Sequence, residues 1–172
     1  MNLKFKKKFW NSFLEKIVQL KEYGSNKNEK TRKYLVEFVS ANPTGPLHVG
    51  HGRGAAIGDC LARLFEFSGW QVTREFYYND AGAQIDNLTK SVMARCNHIE
   101  PSDSTFPEDG YRGDYIKEIA DLYLNKQKVV CKGITIQSSG DINDEDLIKK
   151  FSVATLRNEQ DKDLAAFNVK FD

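Results

Sequence analysis

The sequence predicts an α/β fold, a parallel βαβ unit followed by a helix-rich stretch, and three observations carry that prediction. An apolar, β-branched run, YLVEFVS (34–40), has the character of a buried strand and stops at the turn chemistry of Asn42, Pro43, Gly45 and Pro46. Ala55, Ile57, Leu61, Leu64 and Phe65 then recur at mostly helical spacing, with Gly69 placed to cap the end. A second strand-like run, VTREFYY (72–78), completes a βαβ unit, whose strands lie parallel with a right-handed crossover.

The remaining elements follow in order. Phe9, Trp10, Phe13, Leu14, Ile17 and Val18 predict an amphipathic helix over 8–22, joined to the first strand by the polar linker GSNKNEKTRK (24–33). Beyond the second strand, Asn79 and Asp80 can cap a helix in which Ile85, Leu88 and Val92 share a face. HIEPSDSTFPEDGYRG (98–113) reads as a long connection, because its prolines, glycines and short polar residues favour turns. Ile116, Ile119, Ala120 and Tyr123 predict a helix over 114–126, and a helix-rich stretch runs from about Asp144 to Phe167. Weak strand candidates lie near 129–137 and 168–171. Two clear strands are too few for an open parallel nucleotide-binding sheet, so the sheet is expected to be incomplete in this chain.

Composition excludes several classes. A chain of 172 residues, 40% hydrophobic and 28% charged, suits one folded domain with a real core. The net charge of +1 is uneven: residues 1–33 carry ten Lys or Arg against three Glu, a local +7 against −6 elsewhere. Such a leader suits nucleic acid and plain solvation alike. Cys60, Cys96 and Cys131 stand too far apart for a disulfide framework or zinc knuckle, which points to a reduced, cytoplasmic protein. MNLKFKKKFW lacks the apolar run of a signal peptide, and no stretch reaches the ~18 apolar residues of a membrane span. Neither secretion nor membrane insertion is expected.

The candidate chemistry lies between the first strand and its helix, where His48, Gly50, His51, Gly52, Arg53 and Gly54 fall at the carboxyl edge of a parallel sheet. A helix start there offers free N–H groups and a positive dipole end, so phosphate is the natural guest. His48 and His51, three apart, face the same way and can donate hydrogen bonds to charge developing on a phosphoryl group. Removing one such donor typically costs about 3 kcal/mol of barrier. Other readings stay open at this point. The histidines could hold a metal, but only His98 remains as a further imidazole and no His-Glu-x-x-His is present. Gly50, Gly52 and Ala55 match G-x-G-x-x-G/A, yet Gly50 lies ten positions after Ser40, whereas that fingerprint starts directly off its strand. The glycines could also serve helix-to-sheet packing alone, with the histidines as surface residues.

Glu37 is unusual in an apolar strand, because burying an acid requires a partner, either a cationic substrate or a nearby Lys or Arg. Ser40 and Asn42 sit at the ligand edge of that strand, and Asn79, Asp80 and Gln84 at that of the second. Capping and turn roles explain Ser40, Asn42, Asn79 and Asp80 equally well. Tyr77, Tyr78 and Tyr111 read as core or rim aromatics.

Taken together, VEFVSANPTGPLHVGHGRGAAIGD (36–59) closely resembles the signature block of bacterial-type arginyl-tRNA synthetases, with His48-Val-Gly-His51 as the class I His-Ile-Gly-His motif. The likeness continues through REFYYNDAGAQI (74–85) and, more weakly, through YRGDYIKEIA (111–120) and the terminal KFD (170–172). The resemblance implies the first half of a class I synthetase Rossmann-like domain, with Mg²⁺ and ATP as co-substrate and no tightly bound cofactor. It implies activation of L-arginine to the adenylate and transfer to tRNA(Arg) by a protein that is monomeric when full-length. It places His48, Gly50, His51 and Gly52 at ATP, and Glu37, Ser40 and Asn42 at the ammonium and carboxylate ends of arginine.

The domain division expected on this basis is a helical tail of an N-terminal tRNA-binding domain with its linker (1–30), the first half of the catalytic domain (31–97), and a connective insertion returning toward it (98–172). No Lys-Met-Ser-Lys-Ser-like loop or anticodon-binding domain is seen in the sequence, so these residues alone are expected to have little aminoacylation activity. The competing classes are a small nucleotidyltransferase of the same motif superfamily and a non-catalytic synthetase-like binding module.

Overall fold

The computed structural model describes residues 3–26 and 32–172. In chain order these form α1 (Lys7–Gln19), β1 (Lys33–Glu37), α2 (Val49–Phe67), β2 (Gln71–Glu75), α3 (Ala83–Cys96), α4 (Asp114–Leu124), β3 (Lys128–Cys131), β4 (Ile134–Gln137) and α5 (Glu145–Ala166). Residues 27–31 of the expected linker lie outside the described residues.

The βαβ unit forms as the pattern requires. β1 and β2 pair in parallel, Lys33 opposite Gln71 through Glu37 opposite Glu75, and among the described residues they are the only strands of their sheet. β1 ends earlier than the apolar run because Val39 (φ 66°) and Ser40 (φ 42°) adopt left-handed backbone, which a ladder cannot accommodate. α2 ends as expected at Gly69, whose φ of 86° lets its N–H reach back to Glu66 O while Trp70 N–H reaches Phe65 O.

Two contacts press α2 onto the sheet. Phe38 packs so closely on Gly58 that a Cβ there would lie 2.2 Å from the phenyl Cγ. Arg74 on β2 makes a bidentate contact with Glu66 at 2.6 and 2.8 Å and lies 3.4 Å from Asp59. The hydrogen bonds from Arg74 hold the Glu66 carboxyl below its ordinary pKa.

The larger core belongs to the helical part. Leu88, Val92 and Cys96 of α3, Ile116, Ile119 and Tyr123 of α4, Val129 of β3, and Ile148, Phe151 and Leu156 of α5 form one buried cluster. The weak strand candidate at 129–137 is the antiparallel hairpin β3–β4, turned by Lys132 and Gly133, both at positive φ as a type I′ turn demands. A smaller cluster of Phe38, Ala55, Leu164 and Val169 seals α5 against the sheet, and Phe171 packs on Phe38 and Phe76. Residues 168–171 form no strand, but Asp172 N–H donates to Arg74 O, beside the free edge of β2.

Two expectations are corrected. Asn79 and Asp80 do not cap α3: its N-cap is Gly82, at φ 88°, with no side-chain cap, because the chain makes one more turn before the helix begins. Glu37 is exposed, so it bears no burial cost and needs no buried cation. α1 has no buried residue; Phe5, Phe9, Trp10 and Phe13 make stacked and edge-to-face contacts with one another.

The Phe38–Gly58 approach predicts that Gly58→Ala lowers stability by about 1–3 kcal/mol through overpacking. Gly54→Ala, in the same helix with nothing within 4 Å of its Cβ position, should instead be neutral or gain up to about 1 kcal/mol of helix propensity. Urea unfolding of both variants checks the contrast.

Candidate functional site

The site begins where β1 stops. The left-handed pair Val39–Ser40 reverses the chain and closes a tight turn, in which Ser40 N–H donates to Phe38 O at 2.9 Å. Ser40 Oγ donates to Glu37 Oε1 at 2.7 Å and accepts from Tyr77 N–H at 3.1 Å, so one hydroxyl joins the carboxyl ends of both strands. Asn42 Nδ2 donates to Gln84 Oε1 at 2.6 Å, which brings two more of the expected residues together from the loop and from α3.

Residues 42–45 are held through three of their carbonyls. Gln160 Nε2 on α5 donates to Asn42 O at 3.1 Å and to Gly45 O at 2.8 Å, and Tyr115 on α4 donates its hydroxyl to Thr44 O at 2.9 Å. Burial, more than the neighbouring Tyr111, raises the Tyr115 hydroxyl to about 12, so it is a donor at any physiological pH.

The chain then enters α2 through a reciprocal cap built from the two histidines. His48 is the N-cap: its Nδ1 accepts from Gly50 N–H at 3.1 Å, while His51 Nδ1 accepts from His48 N–H at 3.3 Å. The rings stack with centroids 3.8 Å apart and planes 23° from parallel. Both Nδ1 atoms act as acceptors, which assigns the proton of each neutral ring to Nε2. Two N–H donors are therefore left at the helix start, and no described residue takes them up. Burial first, and the charge of His48 second, lower the pKa of His51 and favour its neutral form.

Gly50 has a local reason to be glycine, since a Cβ would lie 2.9 Å from His48 Cε1 and push the ring off its cap. Gly52 has open space at its Cβ position. A groove of about 340 Å³ opens between β1 and α2, lined by Glu37, Phe38, Gly50, Arg53 and Gly58 among others. Glu37 of β1 and Gly50 of α2 both line this depression.

Asn79 and Asp80 stand apart from this cluster. Asn79 Oδ1 only meets its own turn, at Ala81 N–H (3.5 Å), and Asp80 lies 3.8 Å from Arg157. Asp80 also borders a larger groove, about 480 Å³, between the β3–β4 hairpin and α5. Tyr78 is a junction rather than a rim aromatic: its hydroxyl donates to Asp161 at 2.6 Å, its ring stacks on Phe76, and Arg157 and Lys132 lie 3.8 and 4.4 Å from its centroid.

Sequence reasoning missed Gln160 and Tyr115, both in the stretch read as insertion. A signal for Gln160 was present: Ile148, Ser152, Leu156, Gln160 and Leu164 recur every four residues, and a glutamine in such a stripe is a polar group headed for the interior. No group of three or more His, Cys, Asp or Glu that could hold a metal stands together among the described residues.

A parallel βα turn that delivers a paired-histidine helix start to the carboxyl edge defines a class, and comparison agrees. A family model for tRNA synthetases class I (R), catalytic domain, matches residues 13–112, more than half of the chain, and the chain belongs to this family. The arginine–tRNA ligase of Geobacter metallireducens is 54% identical over 173 residues, covering 100% of this chain and 31% of its own length. That of Geotalea uraniireducens is 57% identical over 151 residues, covering 88% and 27% respectively. The crystal structure of a Campylobacter jejuni protein described as an arginyl tRNA synthetase superposes with a TM-score of 0.74 at 30% identity, over 98% of this chain and 36% of that one. The chain thus spans about a third of the relatives it matches. Its α/β fold is the first part of a class I synthetase Rossmann-like catalytic domain.

The reciprocal cap makes a prediction about pH. A pKa lowered in the folded state means that the stability from this cap is present above the unfolded histidine value of 6.5 and is lost as pH falls through the lower folded value. In an NMR titration His51 should protonate with a midpoint below 6.5, and the amides of the first turn of α2 should exchange faster below that midpoint. A midpoint at or above 6.5 would contradict the arrangement.

Proposed function

We propose that this chain supplies the ATP-facing wall and part of the amino-acid pocket of an arginine–tRNA ligase. In this reaction the carboxylate of L-arginine attacks the α-phosphorus of ATP and pyrophosphate leaves. A hydroxyl of the terminal tRNA(Arg) ribose then attacks the adenylate carbonyl and AMP leaves. The observation that carries the reading is the His48–His51 cap. It fixes two neutral Nε2–H donors and a helix N-terminus at the place where negative charge grows on a transferring phosphoryl group. Mg²⁺ belongs to this reading as the counter-ion that enters with ATP.

Glu37 and Ser40 supply the complementary end. The exposed Glu37 carboxylate, oriented by Ser40, suits an α-ammonium, and Asn42, oriented by Gln84, offers its remaining amide N–H and Oδ1 to the amino acid. Gly50 lets His48 fold back, and the open side of Gly52 leaves room for the nucleotide. Asp80 has a structural partner in Arg157, and Asn79 serves its own turn, so their part in substrate binding is secondary.

The domain division extends the same reading. Residues 1–30 are the tail of an N-terminal tRNA-binding domain, supported by an α1 without buried residues, and 98–172 are the connective insertion. Three free cysteines favour a reducing compartment such as the cytoplasm. No helix among the described residues is long and apolar enough to cross a membrane.

The test is arginine-dependent exchange of pyrophosphate into ATP, with and without tRNA, by the full-length protein that carries these residues. His48→Ala and His51→Ala should each lower kcat by about 10²–10³-fold, with the KM for arginine little changed, because their donors act on charge present mainly in the transition state. An unchanged kcat would remove the histidines from the mechanism, and absence of arginine-dependent exchange by the wild type would remove the function.

A further inference from the structure

Gln160 lies on α5, 118 positions along the chain from Asn42, and is fully buried. Its single amide nitrogen donates to two carbonyls of one loop, Asn42 O and Gly45 O, which fixes both the place of the loop and the separation of its ends. Both neighbours are carbonyl acceptors, so the orientation of the amide is determined: nitrogen toward the loop, oxygen away. That oxygen is buried with no hydrogen-bond partner. Leucine, of similar size, would fill the same space without leaving an unpartnered oxygen, so packing alone does not account for a glutamine here.

The loop it grips carries substrate-facing groups at both ends. Asn42 lies at one end, its side chain already held by Gln84, and two residues past Gly45 the chain reaches Leu47 and the histidine cap. Pro43 and Pro46 remove two of the N–H groups by which the loop could have tied itself down, and the one internal backbone bond runs from Thr44 N–H to Asn42 O. Apart from that bond, the carbonyls of Asn42, Thr44 and Gly45 are held by donors from α4 and α5. Tyr115 holds the middle at Thr44 O, whereas Gln160 holds the residue whose side chain meets the amino acid.

We propose that Gln160 is a positioning residue for amino-acid binding, acting through the backbone of Asn42 to aim the Asn42 side chain. The proposal rests on the functional reading above and assigns to the helical insertion a part in setting the affinity for the amino acid. On this proposal Gln160 touches no substrate: its bond to Asn42 O acts on the amino acid through the Asn42 side chain, while its bond to Gly45 O fixes the far end of the loop.

The experiment uses the full-length protein with Gln160→Leu, which keeps the volume, and Gln160→Glu, which keeps the shape but replaces the donor with a carboxylate facing two carbonyls. Each variant is measured for the KM of arginine and of ATP in pyrophosphate exchange, alone and combined with Asn42→Ala, and for hydrogen exchange of peptides spanning residues 38–47. The expected result is faster exchange across that loop, a rise of about tenfold in the KM for arginine from the lost hydrogen bonds, and a KM for ATP within about twofold of wild type. In the Asn42→Ala background the further rise caused by Gln160→Leu should largely vanish, since the two act in series.

Additive effects of the two substitutions, equal rises in both KM values, or an unchanged KM for arginine would each overturn the positioning role. So would failure of both variants to fold, which would make Gln160 a structural residue only. If the wild type shows no arginine-dependent exchange, the functional reading falls and the positioning role with it. In that case faster loop exchange in the variants still identifies the functional reading as the part that failed.

Discussion

The two hydrogen bonds from Gln160 to the 42–45 loop are the interaction on which the rest of the site depends. A segment that leaves a parallel strand through two left-handed residues, passes two prolines and must then start a helix cannot satisfy its own backbone. Water could solvate such carbonyls, but it would not fix them in one place. Gln160 and Tyr115 do, and they come from helices that follow the βαβ unit in the chain. The segment that carries α4 and α5 is therefore a buttress for the loop.

This arrangement explains where the core lies. A two-stranded sheet with one helix can bury little: Leu35, Ile57 and Leu64 remain more than half exposed, and the cluster around Phe38 is small. The larger cluster spans α3, α4, β3 and α5, and the side chains that hold the loop come from two of those helices, α4 and α5. Tyr78 closes the junction by placing the end of the β2 segment between Arg157, Lys132 and Asp161. Each cation–π contact of this kind contributes about 0.5–1 kcal/mol at a partly exposed site, and Asp161 anchors the hydroxyl. Precision at the site is thus supplied mostly by residues outside the sheet.

How much was legible in the sequence follows from the range of the forces involved. The strand, turn and helix sequence around His48 could be read because periodicity, prolines and glycines act locally. The Lys132–Gly133 hairpin was half-seen, since a four-residue strand leaves too short an alternation to separate from noise. The error at Asn79 and Asp80 came from a local rule, that a short polar residue before an apolar stripe caps it: the chain makes one more turn to an N-cap at Gly82, where Asn79 meets Ala81 N–H and Asp80 faces Arg157. Glu37 was misjudged because the outer face of β1 is open, so the strand is not enclosed as its apolar run suggested. Gln160 is a different kind of miss. Its stripe was visible, but the loop it serves lies more than a hundred residues away, and nothing in a single sequence links the two.

The histidine pair shows the same economy at a shorter range. One nitrogen of each ring completes the helix start and the other has no partner among the described residues, so folding sets the tautomer that the proposed chemistry needs. Stacking the rings 3.8 Å apart makes a second positive charge costly, and partial burial acts in the same direction for His51. A protonated His51 would lose the Nδ1 acceptor that caps His48 N–H, so gaining charge and losing the cap are one event. A site that needed imidazolium cations to hold phosphate would be poorly served by this geometry. One that needs fixed neutral donors, adding hydrogen bonds only where charge develops, is served by the same bonds that begin the helix.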